Sequence, residues 1–203
     1  MNNNGRLLAG DTVARYYSAM RGFFHAVLAA TFLTLSAPLA ADQNDPRLDS
    51  LFARLKTIDD RALAKDVERD IWGIWTHSGD EDIDREMKKG LHAMDMGNVK
   101  AALAVFDSVV KKAPDFAEGW NKRATIYYYM NEYEASIRDV EKTLALEPRH
   151  FGALAGLGSI YLETGKEKDA LVALEKALAV DPHLWSVRMR VDQLRKKLLG
   201  TPI

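Results

Sequence analysis

Cysteine is missing from all 203 residues. No disulfide staples the chain, no thiolate can hold a metal, and no cysteine can act as a nucleophile. An excess of charge of one sign is also missing. With 28 basic and 29 acidic residues the formal net charge is -1, which gives no electrostatic basis for binding nucleic acid. Histidines are few (His25, His77, His92, His150 and His183), and no two stand in an H-x-x-x-H or HExxH relation, so neither zinc nor any other cofactor is expected. There is no G-x-S-x-G elbow. The acidic residues are spread along helix faces, as on any solvated surface, with no catalytic pair to single out. Gly156-Leu157-Gly158-Ser159 faintly resembles a phosphate loop, but no strand precedes it and it falls inside a predicted helix. These absences together point away from an enzyme. What remains is an ordinary globular composition, 47% hydrophobic and 28% charged, of a length that suits one domain with a tail.

Residues 1–41 read as an address. Met20-Arg21 is followed by an apolar run, Phe23–Leu35, and then by Ser-Ala-Pro-Leu-Ala-Ala at 36–41. A basic residue, an apolar core and small residues in that order form the layout of a secretory signal peptide, with cleavage expected near Ala40 or Ala41. Residues 1–19 lengthen the leader, and Met20 is the expected true start; Met1 is the alternative, with Arg6, Arg15 and Arg21 as a basic n-region. An uncleaved inner-membrane anchor is the competing reading, because Phe23–Ala41 is close to the shortest span that crosses a bilayer. Export to the periplasm of a bacterium is the expectation, with membrane contact only through this segment if it is retained.

Beyond the leader the chain is periodic. Pro114, Pro148 and Pro182 recur every 34 residues, and each interval holds two amphipathic runs, a pattern typical of helical repeat arrays. Units at 83–116, 117–150 and 151–184 align. Position 8 is Gly90, Ala124 and Gly158, and position 20 is Ala102, Ser136 and Ala170. Small residues there let paired helices approach closely. Position 24 supplies Phe106, Val140 and Leu174 to fill the space between them. An isolated unit cannot bury its apolar face, so the three must share one core.

The array is flanked on both sides. Residues 42–82 contain a helical pair with stripes Leu48, Leu51, Phe52, Leu55 and Val67, Ile71, Ile74, Trp75, widened by Trp72. Asp59 or Asp60 is placed to cap the second helix, which should run to about His77. Glu68 and Lys56 stand where small residues belong, so the pair reads as a degenerate repeat or an N-terminal cap. Residues 185–203 form a capping helix whose apolar face, begun by Leu184, continues through Val187, Val191, Leu194 and Leu198. Its polar outer side suits the end of a solenoid. Its basic end would also suit anionic lipid.

The pattern resembles the tetratricopeptide repeat (TPR) family, which carries a bulky residue at position 4, small residues at 8 and 20, an aromatic at 11 and proline at 32. The third unit matches best, through Leu154, Leu157, Gly158, Tyr161, Ala170, Ala177 and Pro182; the second supplies Trp120 and Tyr127; the first departs at Glu86, Lys89 and Ala93. The resemblance implies an all-α fold, a right-handed α-α superhelix of about three repeats, with a concave groove lined by the first helix of each pair. It also implies the groove residues: Met87, Leu91 and Met94 from the first repeat, Asn121, Lys122, Thr125, Tyr128 and Tyr129 from the second, and Ser159 and Leu162 from the third. Some TPR domains clamp a peptide C-terminus with Lys and Asn; of those positions only Lys122 has suitable chemistry here.

Arg123 occupies position 7 of the second unit, where an apolar residue is expected. It is either paired with a carboxylate, for which Asp139 on the facing helix is the candidate, or extended to water along its stem. The expected function is a non-catalytic scaffold or adaptor in the periplasm or cell envelope, binding a protein or peptide partner and no nucleic acid. The alternatives are a module that self-associates through its terminal helices and a membrane-anchored assembly factor.

Overall fold

A computed structural model describes residues 43–200; the expected leader, with its expected start and cleavage site, and the last three residues lie outside the described residues. Within that range every regular element is a helix. In chain order they are α1 (Arg47–Thr57), α2 (Arg61–Trp75), α3 (Glu81–Asp95), α4 (Val99–Lys112), α5 (Ala117–Tyr129), α6 (Tyr133–Leu146), α7 (Phe151–Glu163), α8 (Glu167–Val180) and α9 (Trp185–Leu199). None is long and apolar enough to cross a membrane among the described residues.

Local chemistry fixes the helix ends. Asp60 Oδ1 accepts from the N–H groups of Ala62 and Leu63 at 2.7 and 3.0 Å, and Asp80 Oδ1 does the same for Asp82 at 2.7 Å. These bonds satisfy donors that have no partner within the helix. Inside each repeat the turn between paired helices places one residue in the left-handed region: Gly97 (φ 67°), Asn131 (φ 59°) and Gly165 (φ 72°). Glycine and asparagine tolerate that conformation best. The helix α2 stops at Trp75, two residues before the predicted His77, with Thr76 as its C-cap.

Helices pair as α3/α4, α5/α6 and α7/α8, and each pair leans on the next, α4 on α5, α6 on α7 and α8 on α9. The small residues at position 8 have a packing cause. A Cβ on Gly90 would lie 2.6 Å from the Phe106 ring, and one on Gly158 would collide with Leu174. In the second repeat Ser136 Oγ donates to the Ala124 carbonyl at 2.7 Å, tying position 20 to position 8. Gly156–Ser159 is helix interior, so the phosphate-loop likeness has no structural basis.

Arg123 is paired, not extended to water. Its Nε and Nη2 donate to Asp139 Oδ2 and Oδ1 at 2.7 and 2.8 Å, and Nη1 donates to Asp107 at 2.8 Å. The guanidinium also sits 4.9 Å from the Trp120 ring and 5.6 Å from the Tyr127 ring. Two aromatic faces and a bidentate carboxylate satisfy a planar cation as completely as an apolar site allows. Because Asp107 belongs to α4, the group joins the first repeat to the second.

At the far end, Val191 and Leu194 of α9 are buried on Ala170, Leu171 and Leu174, with Val187 and Leu198 packed beside them. The basic residues are partly neutralised by α8: Arg195 donates to Glu175 at 2.8 Å, and Lys197 pairs with Glu167. That arrangement is a cap on the last repeat.

The N-terminal pair, expected as a degenerate repeat or an N-terminal cap, packs along the edge of the array. It does not take the place of an upstream repeat: its apolar core, Leu48, Phe52, Leu55, Ala64, Val67, Ile71, Ile74 and Trp75, is completed by Phe151, Trp72, Val180 and Leu184. Those last contacts, Trp72 apart, lie at the turns that join repeat two to repeat three and repeat three to α9. The path along the turns is ordered. Gln43 Nε2 donates to the Asp115 carbonyl at 2.6 Å, Asp49 accepts from Arg149 Nη1 at 2.6 Å, and His183 Nε2 bonds the Leu55 carbonyl at 3.1 Å. Thus residues 43–55 cross the edge of the array from the first inter-repeat turn to the last, and α2 returns.

Candidate functional site

The first helices of repeats two and three, α5 and α7, lie side by side over α6. Between them is a crevice of ≈ 120 Å³. Asn121, Thr125 and Tyr128 form one wall and Gly152, Ala153, Gly156, Ser159 and Ile160 the other; Ser136 and Val140 of α6 form the floor. The opening exists because its second wall is made mostly of small residues, and a Cβ added to Gly156 would meet nothing within 4 Å. The volume is well below that of a small-molecule site, about 300–1,000 Å³, and fits one side chain of an extended peptide.

The walls offer hydrogen bonds without charge. Thr125 Oγ1 and Ser159 Oγ donate to carbonyls one turn back, at 2.9 and 3.1 Å, which leaves their lone pairs facing outward. Burial pushes the Tyr128 phenol up, and the neighbouring Glu163 adds to it, so the hydroxyl stays a neutral donor. The Tyr128 ring lies 6.0 Å from both Tyr129 and Tyr133, an aromatic rim of the kind that makes adaptable contacts.

Of the ten residues expected in the groove, four meet here: Asn121, Thr125, Tyr128 and Ser159. Tyr129 is exposed on the rim at 61%. Met87 is not a groove residue. It is 1% exposed and packs with Ile83, Phe106 and Ile126, because the shallow first repeat lacks an aromatic at position 11 and Met87 helps fill its core. Leu91 and Met94 pack partly on that same core. Leu162 packs partly under α9.

Lys122 is not available to clamp a carboxylate terminus. Its ammonium lies 2.8 Å from Glu118 Oε1 and 5.2 Å from the Trp72 ring centre. Glu118 is the centre of a buried group that sequence reading missed. Its Oε2 accepts from Asn121 Nδ2 at 2.8 Å and from His150 Nε2 at 2.9 Å. His150 Nδ1 accepts the Ala153 N–H at 3.1 Å, capping α7. With Nδ1 committed as acceptor, the ring proton sits on Nε2 and points at Glu118. Trp75 stacks on the imidazole at 4.2 Å and 9°. The Glu118–Lys122 spacing is visible in the sequence; nothing in the sequence indicates that the N-terminal pair buries it.

Burial alone would push the Glu118 carboxyl up, but the Lys122 ammonium and the His150 hydrogen bond outweigh it and hold the group below its ordinary 4.5. A carboxyl depressed in the folded state stabilises fully above its unfolded value and loses that contribution as pH falls through the folded one. Glu118→Gln is therefore expected to cost about 1–3 kcal/mol near neutral pH. The gap to the unchanged protein should close below the ordinary carboxylate range, as urea melts at a series of pH values would show.

His150 thus caps and stacks, His183 bonds the Leu55 carbonyl, and no group of three His, Asp or Glu among the described residues could hold a metal ion.

Comparison with known proteins agrees with the helical pairing. The profile described as tetratricopeptide repeat matches residues 87–128 and 121–183. A TPR repeat-containing protein of Rhizobium etli is 34% identical over 200 residues, covering 90% of this chain and 98% of that protein. The Hsp70-Hsp90 organizing protein of Triticum aestivum is 26% identical, but the match covers 59% of this chain and only 20% of that protein. Among solved structures, the Arabidopsis OM64 TPR domain superposes with a TM-score of 0.56 at 19% identity, covering 58% of this chain and 98% of that domain. The TPR2B domain of yeast Sti1, solved in complex with an Hsp70 peptide, gives 0.53 at 20% identity, covering 60% of this chain and 98% of that one. These two structural likenesses concern the fold alone.

Proposed function

The chain belongs to the tetratricopeptide repeat family, a protein-interaction fold, and from that premise we propose that it is a non-catalytic scaffold holding an extended segment of a partner protein against α5 and α7. The observation that carries this reading is the crevice lined by the uncharged side chains of Asn121, Thr125, Tyr128 and Ser159. Such a surface takes a small side chain inward and satisfies the flanking peptide groups with hydroxyl and amide partners. It favours a neutral stretch of chain over a charged terminus, since Lys122 is already paired.

The proposed site of action rests on the expected leader. The run at 20–41 has the order of an export signal, and the scaffold is placed in the periplasm or cell envelope on that basis, with an inner-membrane anchor as the alternative if the signal is retained. N-terminal sequencing of the mature protein distinguishes the two.

Tyr128→Ala tests the crevice. Aromatic anchors carry a large part of interface energy, so the substitution should weaken capture of the native partner by about tenfold or more, or about 1.4 kcal/mol. It should leave the melting temperature within a few degrees, because the ring is half-exposed. Crosslinking in intact cells with a photoreactive group at Tyr129 identifies the partner. Undiminished capture by Tyr128→Ala would move the binding site elsewhere.

A further inference from the structure

A second pocket lies away from the crevice, at the seam where the loop between α1 and α2 meets the start of α9. Its volume is ≈ 350 Å³, and its walls come from both sides: Lys56, Ile58, Asp59 and Arg61 from the N-terminal pair, and Pro182, His183, Trp185 and Arg188 from the array. Three features meet at this seam. Trp185 is 58% exposed, whereas Trp75 is 1% exposed. Arg61 stands 6.0 Å over the Trp185 ring. Lys56, Arg61 and Arg188 converge there, and among the described residues none has a carboxylate oxygen within 4.0 Å.

The nearby acids form no ion pair with these cations. Asp59 lines the pocket but pairs with none of the three. Behind the wall, Glu68 interacts with Arg61 through space without forming an ion pair, and Asp181 accepts from the His183 N–H at 2.9 Å. His183 is occupied with the Leu55 carbonyl, and Arg188 Nη2 donates to the Pro182 carbonyl at 2.7 Å, which orients the guanidinium over the opening. Several surface cations elsewhere are paired, among them Arg69 with Asp66, Arg149 with Glu147 and Asp49, Arg195 with Glu175, and Lys197 with Glu167. The seam instead gathers three cations without an ion pair around one pocket, and it places an accessible indole among them.

We propose that the seam pocket is a second binding site, for an acidic segment of a partner protein whose carboxylates engage Lys56, Arg61 and Arg188 while an apolar side chain rests on Trp185. Charge complementarity selects the occupant: cations drawn from two elements repel each other until an anion lies between them, and the exposed indole rewards a peptide that also carries apolar surface. Because its walls belong to both α1–α2 and α9, occupancy also fastens the N-terminal pair to the array. A ligand that binds only the docked form shifts the equilibrium toward it.

The test titrates the full chain, by calorimetry, with a short acetylated peptide of glutamates around one phenylalanine and with its glutamine counterpart. The acidic peptide should bind, weaken as salt rises, and slow amide exchange in α1 and α2. Arg61→Glu with Arg188→Glu should reduce its affinity by about tenfold or more. Arg188→Gln, which introduces no new charge, should reduce it less while circular dichroism stays unchanged. Tyr128→Ala should leave it unaltered, separating this site from the crevice. Equal binding of the glutamine peptide, indifference to the arginine substitutions, or loss with Tyr128→Ala would overturn the proposal. So would inorganic phosphate or phosphatidylglycerol vesicles binding at the seam while the peptide does not.

Discussion

Trp75→Ala is expected to destabilise the protein by about 3–5 kcal/mol, the range for removing a large buried aromatic, and to do so locally. Trp75 is 1% exposed. Its ring stacks on His150 at 4.2 Å and lies 5.3 Å from Trp72, 5.1 Å from Phe151 and 5.9 Å from Phe52. Removing it hollows the contact through which α2 holds the array. The three hydrophobic clusters of the repeats and α9 contain no residue of α1 or α2, so they keep their own packing when the pair detaches. Hydrogen exchange should therefore show lost protection across Arg47–Trp75 while α3 to α9 remain protected. Uniform loss across all helices would show that pair and array unfold as one unit. Trp75→Phe should cost clearly less than alanine, because the indole Nε1 is buried without a partner and phenylalanine removes that orphan donor while keeping most of the ring.

The second large effect concerns Arg123. Arg123→Ala should cost about 3–5 kcal/mol, since truncating one partner of a buried pair leaves the other charge uncompensated. The Asp139 side chain is only 6% exposed, and that of Arg123 15%, so water replaces the lost guanidinium poorly. For a chain of this size each kcal/mol moves the midpoint by about 2–4 °C, which makes thermal melts adequate to detect the loss. Arg123→Lys should recover little, because an ammonium neither forks onto a carboxylate nor stacks between Trp120 and Tyr127 in the same way. Combining Arg123→Ala with Asp139→Ala should cost less than the sum of the two single changes, as expected for residues in direct contact. An unchanged midpoint for Arg123→Ala would mean that the pair contributes nothing.

Both predictions involve residues visible in the sequence, but unequally so. Arg123 and Asp139 sit on the two helices of one repeat, 16 residues apart, and a periodic alignment places them face to face. Trp75 and His150 share no repeat position. The apolar stripe of α2 indicates that Trp75 is buried, yet the spacing of a stripe carries no information about which surface covers it. The same limit accounts for the groove residues. Met87 and Asn121 both occupy position 5 of their units, but Met87 fills the core of a first repeat that has Ala93 where its neighbours have Tyr127 and Tyr161, whereas Asn121 reaches the crevice. Lys122 was open to solvent in a repeat considered alone; Trp72 and Glu118 close over it.

The sequence by itself determined the helices, their pairing, the order of the repeats and the capping role of α9, because each depends on contacts between near neighbours that recur with a fixed period. Only the tertiary structure decided where α1 and α2 lie. Their apolar faces could be buried against several surfaces, and the choice among them was made by Phe151, His150, Val180 and Leu184 meeting at turns far along the chain. That choice in turn buried Glu118, occupied Lys122 and opened the seam beside Trp185, none of which a local pattern encodes.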